Sequence, residues 1–83
     1  MTMLVMSKET KMSADEILNR AKDYFDNRFG LTLDNYNPSC CIEFHGEIGF
    51  VEIAVEGSED KTEVIIRTRE WEFQVKDFLR GLK

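Results

Sequence analysis

Apolar positions along the chain change period twice, near residue 40 and again near residue 68. Before the first change they fall at helical spacing: Ile17, Leu18, Ala21, Tyr24, Phe25 and Phe29 share one face of a helix. Ser13 and Glu16 form an S-x-x-E capping box, in which each side chain satisfies an orphan amide of the other's turn. Met12 and Ile17 are spaced as a hydrophobic staple across that box, and Gly30 is a natural residue to follow the helix end. The pattern predicts a helix from Ala14 to Phe29. Leu31 to Ser39 reads as a connector, because Asn35, Asn37 and Pro38 are turn formers and Pro38 holds Asn37 extended.

From Cys40 to Arg67 the alternation is that of paired strands. With Gly46-Glu47 as a two-residue turn, Ile42 faces Val51 and Cys40 faces Ile53. With Gly57 to Asp60 as a four-residue loop, Ile53 faces Val64 and Val51 faces Ile66. Both registers put Cys40, Ile42, Phe44, Val51, Ile53, Val55, Val64 and Ile66 on one face, and burial of one face specifies register tightly. The other face is mixed: Cys41, Glu43 and His45, then Ile48, Phe50, Glu52 and Ala54, then Glu63, Ile65 and Arg67. A second helix follows, with Thr68 as its cap and Trp71, Val75, Phe78, Leu79 and Leu82 on one face. Phe73 falls on the wrong side of it. Trp71, Phe73 and Val75 also alternate as an extension of the third strand, but Val75, Phe78, Leu79 and Leu82 cannot all face inward on a strand.

These elements predict a two-layer α+β domain of order α-β-β-β-α. Its three-stranded antiparallel meander (order 123) carries both helices on one face, since such a sheet needs a helical cover. Residues 12–83 form the domain, and residues 1–11 are a flexible segment or a peripheral strand.

Composition narrows the function classes. Eighty-three residues with 42% hydrophobic and 33% charged side chains make one globular domain with little volume for a deep pocket, so no enzyme is expected. The net charge of -5 disfavours nucleic acid and anionic membranes. No segment is long and apolar enough to span a bilayer, and the start lacks the form of a secretory signal, so a cytoplasmic location is expected. Cys40 and Cys41 are strand neighbours that should point to opposite faces, poorly placed to bond each other.

In length, element order and acid-rich hairpins, the chain from about Met12 to Leu82 resembles a small uncharacterised protein family of methanogenic archaea. The resemblance implies an α-β(3)-α fold, an acidic pocket and a capacity for calcium. It transfers no binding motif to particular residues.

The charge itself is uneven. Residues 43–63 hold seven carboxylates against one lysine. The predicted topology brings the end of helix one and the connector to the end of the sheet that carries the Gly57–Asp60 loop. Asp26, Asp34, Glu56, Glu59, Asp60 and Glu63 should then gather there, with Asn37 opposite Glu56. Hard cations such as Ca2+ take six to eight oxygens from carboxylates, carbonyls and water, so this loop end is a candidate cation site. An EF-hand counted from Asp34 fails, because Tyr36, Ser39 and His45 occupy its third, sixth and twelfth positions. A site assembled from separate loops should bind weakly. Against it stands a solvated face, partly neutralised by Arg80 and Lys83 at the end of helix two. His45 is the only histidine, with no cysteine or second histidine to join it in a metal site. Glu43 and Glu52 share the open face, and Arg67 near Glu43 predicts a structural ion pair. Phe50, Ile65 and Phe73 suggest a partner-binding or homodimer surface. The sequence thus points to weak divalent-cation binding. The alternative is an interaction module that uses the outer face and acidic surface for a basic protein or a weak homodimer.

Overall fold

The structure is a computed structural model and describes residues 3–26, 28–57 and 60–82. Its elements run β1 (Leu4–Thr10), α1 (Ala14–Phe25), β2 (Thr32–Asn37), β3 (Cys41–His45), β4 (Phe50–Gly57), β5 (Thr62–Arg69) and α2 (Glu72–Arg80). The sheet is antiparallel throughout and has five strands in the order β1-β5-β4-β3-β2. An α+β fold is therefore correct, but the three-stranded sheet is not. The expected meander is its centre, and a further strand joins each edge.

Of the two added strands, β1 fulfils one of the two alternatives expected for residues 1–11, and β2 replaces the expected connector, for physical reasons. In β2, Leu33 pairs with Phe44 and Asn35 with Glu43, so Asp34 is an extra residue in a β-bulge. The bulge brings Leu33 and Tyr36, three residues apart, against the core together, which no period-two pattern shows. In β1, inward positions alternate as Leu4, Met6, Lys8 and Thr10, and the third is a lysine. Lys8 Nζ donates to the carbonyls of Leu79 and Leu82, both at 2.8 Å. A cation thus satisfies the carbonyl end of α2, where the helix dipole favours it. An inward lysine also blunts the edge strand against pairing with other chains.

The interior strands keep the predicted face but not the predicted register. Ile42 pairs with Ile53 rather than Val51, and Ile53 with Ile66 rather than Val64. Each register is displaced by two residues. In the first hairpin Gly46 N donates to Gly49 O at 2.9 Å, which centres the turn on Glu47-Ile48. A shift of two preserves which side chains face inward, whereas a shift of one would have reversed them. Ile42, Phe44, Val51, Ile53, Val55, Val64 and Ile66 are accordingly all buried, and Cys40 is half-buried.

α1 and α2 cover this face. α1 packs on β4, β3 and β2, and α2 on β5. The capping box of Ser13 and Glu16 is present. The helix stops at Phe25 rather than Phe29, and the chain then turns through positive φ at Phe29 and Gly30. Phe25 sits fully buried at the centre of an aromatic cluster with Tyr24, Phe44 and Phe78. α2 starts after Trp71, so Thr68 is no cap. It lies in β5 and donates its hydroxyl to Phe50 O at 2.9 Å. Phe73 is exposed, as its off-face position required. Cys40 and Cys41 are joined by a disulfide, contrary to the strand-neighbour expectation. Only Cys41 belongs to β3. Cys40 is the last residue of the preceding turn, its amide donating to Asn37 O, and so escapes the alternation. Among the described residues no helix is long and apolar enough to cross a membrane.

Candidate functional site

Among the described residues no element covers the second face of the sheet, and the pairings arrange its side chains in rows across the strands. Arg69, Phe50, His45 and Thr32 form the first row. Val5, Arg67, Glu52, Glu43 and Asn35 form the second. Ser7, Ile65, Ala54, Cys41 and Asn37 form the third. Glu9, Glu63 and Glu56 form the last, beside the loop that joins β4 to β5.

This grid separates the acids that the sequence gathered at the loop end. Glu56 and Glu63 lie directly opposite each other there, joined by Glu9, which was not among the expected site residues because the peripheral-strand alternative for residues 1–11 carried no pairing partner or register. Asp60 lies in the adjoining loop, and Glu59 and Lys83 fall outside the described residues. Asp26 is the C-cap of α1. That helix leaves the loop end after Thr10, which pairs with Thr62, and about 18 Å of helix carries Asp26 to the opposite end. The connector then returns along the sheet as β2, so Asp34 lies partway along the open face rather than at its end. Asn37 faces Cys41, not Glu56.

What the fold does bring together is Asp34, Glu43 and His45. One ligand atom from each lies within 4.8 Å of the others. His45 Nε2 is 3.9 Å from Asp34 Oδ2 and 3.9 Å from Glu43 Oε1. The local cause is the β-bulge. Glu43 and His45 are two apart on β3 and share the open face by alternation, and the extra residue in β2 places the Asp34 carboxylate beside them. All three are at least one-third exposed at the side chain, so water can complete a coordination shell. Zinc–nitrogen and zinc–oxygen bonds of about 2.0–2.2 Å place tetrahedral ligand atoms about 3.3 Å apart, so the three atoms need only close by roughly 1 Å around an ion. The sequence held half of this signal in the E-x-H pair of β3. The bulge that adds Asp34 is not visible in it.

The remaining face is quieter. Arg67 pairs with Glu52, its Nη2 2.6 Å and its Nε 3.0 Å from Oε1, and not with Glu43 as expected. The two are direct cross-strand partners once the register moves by two. As an exposed pair it contributes about 0–1 kcal/mol. Lys61 Nζ lies 3.4 Å from Glu9 Oε1 and offsets part of the acidic row.

No protein-family model matches the chain, and no curated protein matches it. Two solved structures share its fold. The crystal structure of DR_A0006 from Deinococcus radiodurans superposes with a TM-score of 0.69 at 15% identity, covering 95% of this chain and 92% of that one. The solution structure of the Aha1 dimer from Colwellia psychrerythraea gives a TM-score of 0.64 at 14% identity, covering 96% of this chain and 87% of that one. At these identities the likeness extends to the fold alone.

Proposed function

We propose that the protein binds a divalent cation on the open face of its sheet, at Asp34, Glu43 and His45. The convergence of one imidazole nitrogen and two carboxylate oxygens within 4.8 Å carries this reading. An imidazole donor shifts the preferred ion from calcium, which takes oxygen alone, toward zinc or another first-row metal. Calcium at the loop end draws less support, because Asp26 and Asp34 lie away from Glu56, Asp60 and Glu63. Three ligands at least one-third exposed, with no further hydrogen-bond partner to orient them among the described residues, should bind in the micromolar to millimolar range, about -4 to -8 kcal/mol. Calorimetric titration of tag-free protein with Zn2+, Mn2+ and Ca2+ tests the reading. Zn2+ should bind one to one and more tightly than Ca2+, and His45→Ala should abolish the zinc isotherm. A zinc isotherm unchanged in His45→Ala would remove the site.

A second reading is self-association through the same face, favoured by its charge arrangement. Acids occupy the row nearest the loop, while Arg67 and Arg69 occupy the rows at the other end. A two-fold axis lying between two such faces and perpendicular to the strands sets Glu63 against the partner's Arg69. An axis along the strands would set acid against acid. The sheet spans about 24 Å by 23 Å at ordinary strand spacing and rise, so two faces bury about 1,100 Å2, near the lower limit for a specific interface. The fold-alike Aha1 protein was solved as a dimer. Sedimentation velocity should show reversible dimers at high protein concentration. Arg69→Glu should dissociate them, and Arg69→Glu with Glu63→Arg should restore them. Equal dissociation in both variants would refute the geometry.

A further inference from the structure

The outer groove between the two helices carries a different chemistry. Arg20, Tyr24 and Arg28 follow one another at four-residue intervals along α1 and the turn beyond it. Asp77, Phe78, Arg80 and Leu82 face them from α2 and the residues after it, and Asp23 of α1 adds a second carboxylate, around an open groove of about 620 Å3. Three of the chain's five arginines line this groove, in a protein of net charge -5. Their guanidinium groups are poorly matched with acids. Arg20 Nη1 reaches only the carbonyl of Gly81 at 3.4 Å. Arg28 stands over the Tyr24 ring, 5.9 Å from its centre. Arg80 approaches Asp77 no closer than 4.0 Å. Among the described residues neither Arg20 nor Arg28 has a carboxylate within ion-pair distance. The carboxylate of Asp77 is instead engaged by the Tyr24 hydroxyl, which donates to Oδ2 at 2.8 Å. Burial and then this bond to Asp77 raise the Tyr24 pKa, so the phenol keeps its proton and its donor role.

We infer that this groove is a binding site for a small amphipathic anion, whose carboxylate or phosphate head meets Arg20, Arg28 and Arg80 while its apolar body lies against Tyr24, Phe78 and Leu82. Guanidinium is the side chain best matched to planar or tetrahedral oxyanions, and it is weakly enough hydrated to leave water for them. A groove of this volume falls within the range of small-molecule sites, about 300–1,000 Å3, and combines apolar walls with a few polar groups as those sites do. The site shares no residue with the cation cluster on the far side of the sheet.

Backbone amide shifts followed during titration with inorganic phosphate and with phenyl phosphate, at 0.1 M sodium chloride, test the inference. Both anions should shift Arg20, Tyr24, Arg28 and Gly81 saturably, and phenyl phosphate should bind at least about threefold more tightly because its ring is buried. Arg20→Gln with Arg28→Gln should weaken phenyl phosphate by about tenfold or more. Asp77→Asn removes a repelling charge while keeping an acceptor for Tyr24, and should tighten binding by about two- to fivefold. The amide spectra of the variants report whether each remains folded. Non-saturable shifts, equal affinity for the two anions, undiminished binding in the arginine variant, or weakened binding in Asp77→Asn would each overturn the proposal.

Discussion

Replacing Gly49 by alanine should be the most damaging of the glycine-to-alanine changes, since its added Cβ meets the closest backbone obstacle. Gly49 follows the Glu47-Ile48 turn and faces the corner where β5 gives way to α2. A Cβ built on it would stand 2.0 Å from the carbonyl oxygen of Arg69 and 2.9 Å from its carbon. Both obstacles are backbone, so no rotamer relieves them. One strand must retreat by about 1 Å, and overpacking of this kind costs about 1–3 kcal/mol. The retreat also strains the terminal Phe50–Arg69 pair and the Thr68 hydroxyl bond to Phe50 O, worth about 1 kcal/mol each. A loss of about 2–4 kcal/mol is expected, from a total stability of about 4–12 kcal/mol for a chain of this length. At about 4–8 °C per kcal/mol the melting temperature should fall by roughly 10–25 °C, measured by far-ultraviolet circular dichroism. Gly57 is the internal control. Among the described residues its nearest obstacle is Thr62 Oγ1 at 4.0 Å, and its φ lies outside the left-handed range, so Gly57→Ala should be neutral or stabilise by about 0.4–1 kcal/mol. Equal melting temperatures for the two variants would refute the argument from close approach.

Three further outcomes follow from the packing. Phe25→Ala empties the centre of the aromatic cluster and should cost about 3–5 kcal/mol, seen as a lower urea midpoint at unchanged slope by Trp71 fluorescence. Lys8→Met keeps the apolar stem but removes the ammonium donor from the Leu79 and Leu82 carbonyls, leaving Leu79 O with the Leu82 amide, and should cost about 1–3 kcal/mol in the same assay. Tyr24 has a pKa raised above the ordinary phenol value of 10.0, so its contribution to stability is complete below that pH and is lost as pH rises beyond it. Melting temperatures taken upward from pH 9 should therefore fall more steeply in the native chain than in Tyr24→Phe.

The sequence carried the layer that is buried and not the rows that lie on it. Helix one was legible from its capping box, and the inward faces of β3, β4 and β5 from their alternation. That alternation is indifferent to a shift of two residues, so the faces survived while the neighbours changed, and Arg67 moved from Glu43 to Glu52. β2 was illegible, and β1 was legible only as one of two alternatives, because their patterns are broken by features that only the tertiary fold explains. The lysine of β1 faces inward to bind the end of α2, and the bulge of β2 spaces its two core residues three apart. Turning the connector into a strand also reverses where α1 ends. That single change scatters Asp26 and Asp34 from the loop end and brings Asp34 to His45.

His45 is the only histidine in the chain, so its ring nitrogens can be observed without ambiguity. Long-range nitrogen–proton correlation spectra of the imidazole, recorded on tag-free protein as Zn2+ is added to 1 mM, test the cation site most directly. Coordination requires a neutral ring with one nitrogen on the metal, so the Nε2 resonance should shift saturably at neutral pH, and the shift should vanish in Asp34→Asn with Glu43→Gln. A ring that is unmoved throughout the titration, or that moves equally in the doubly substituted chain, would contradict the site.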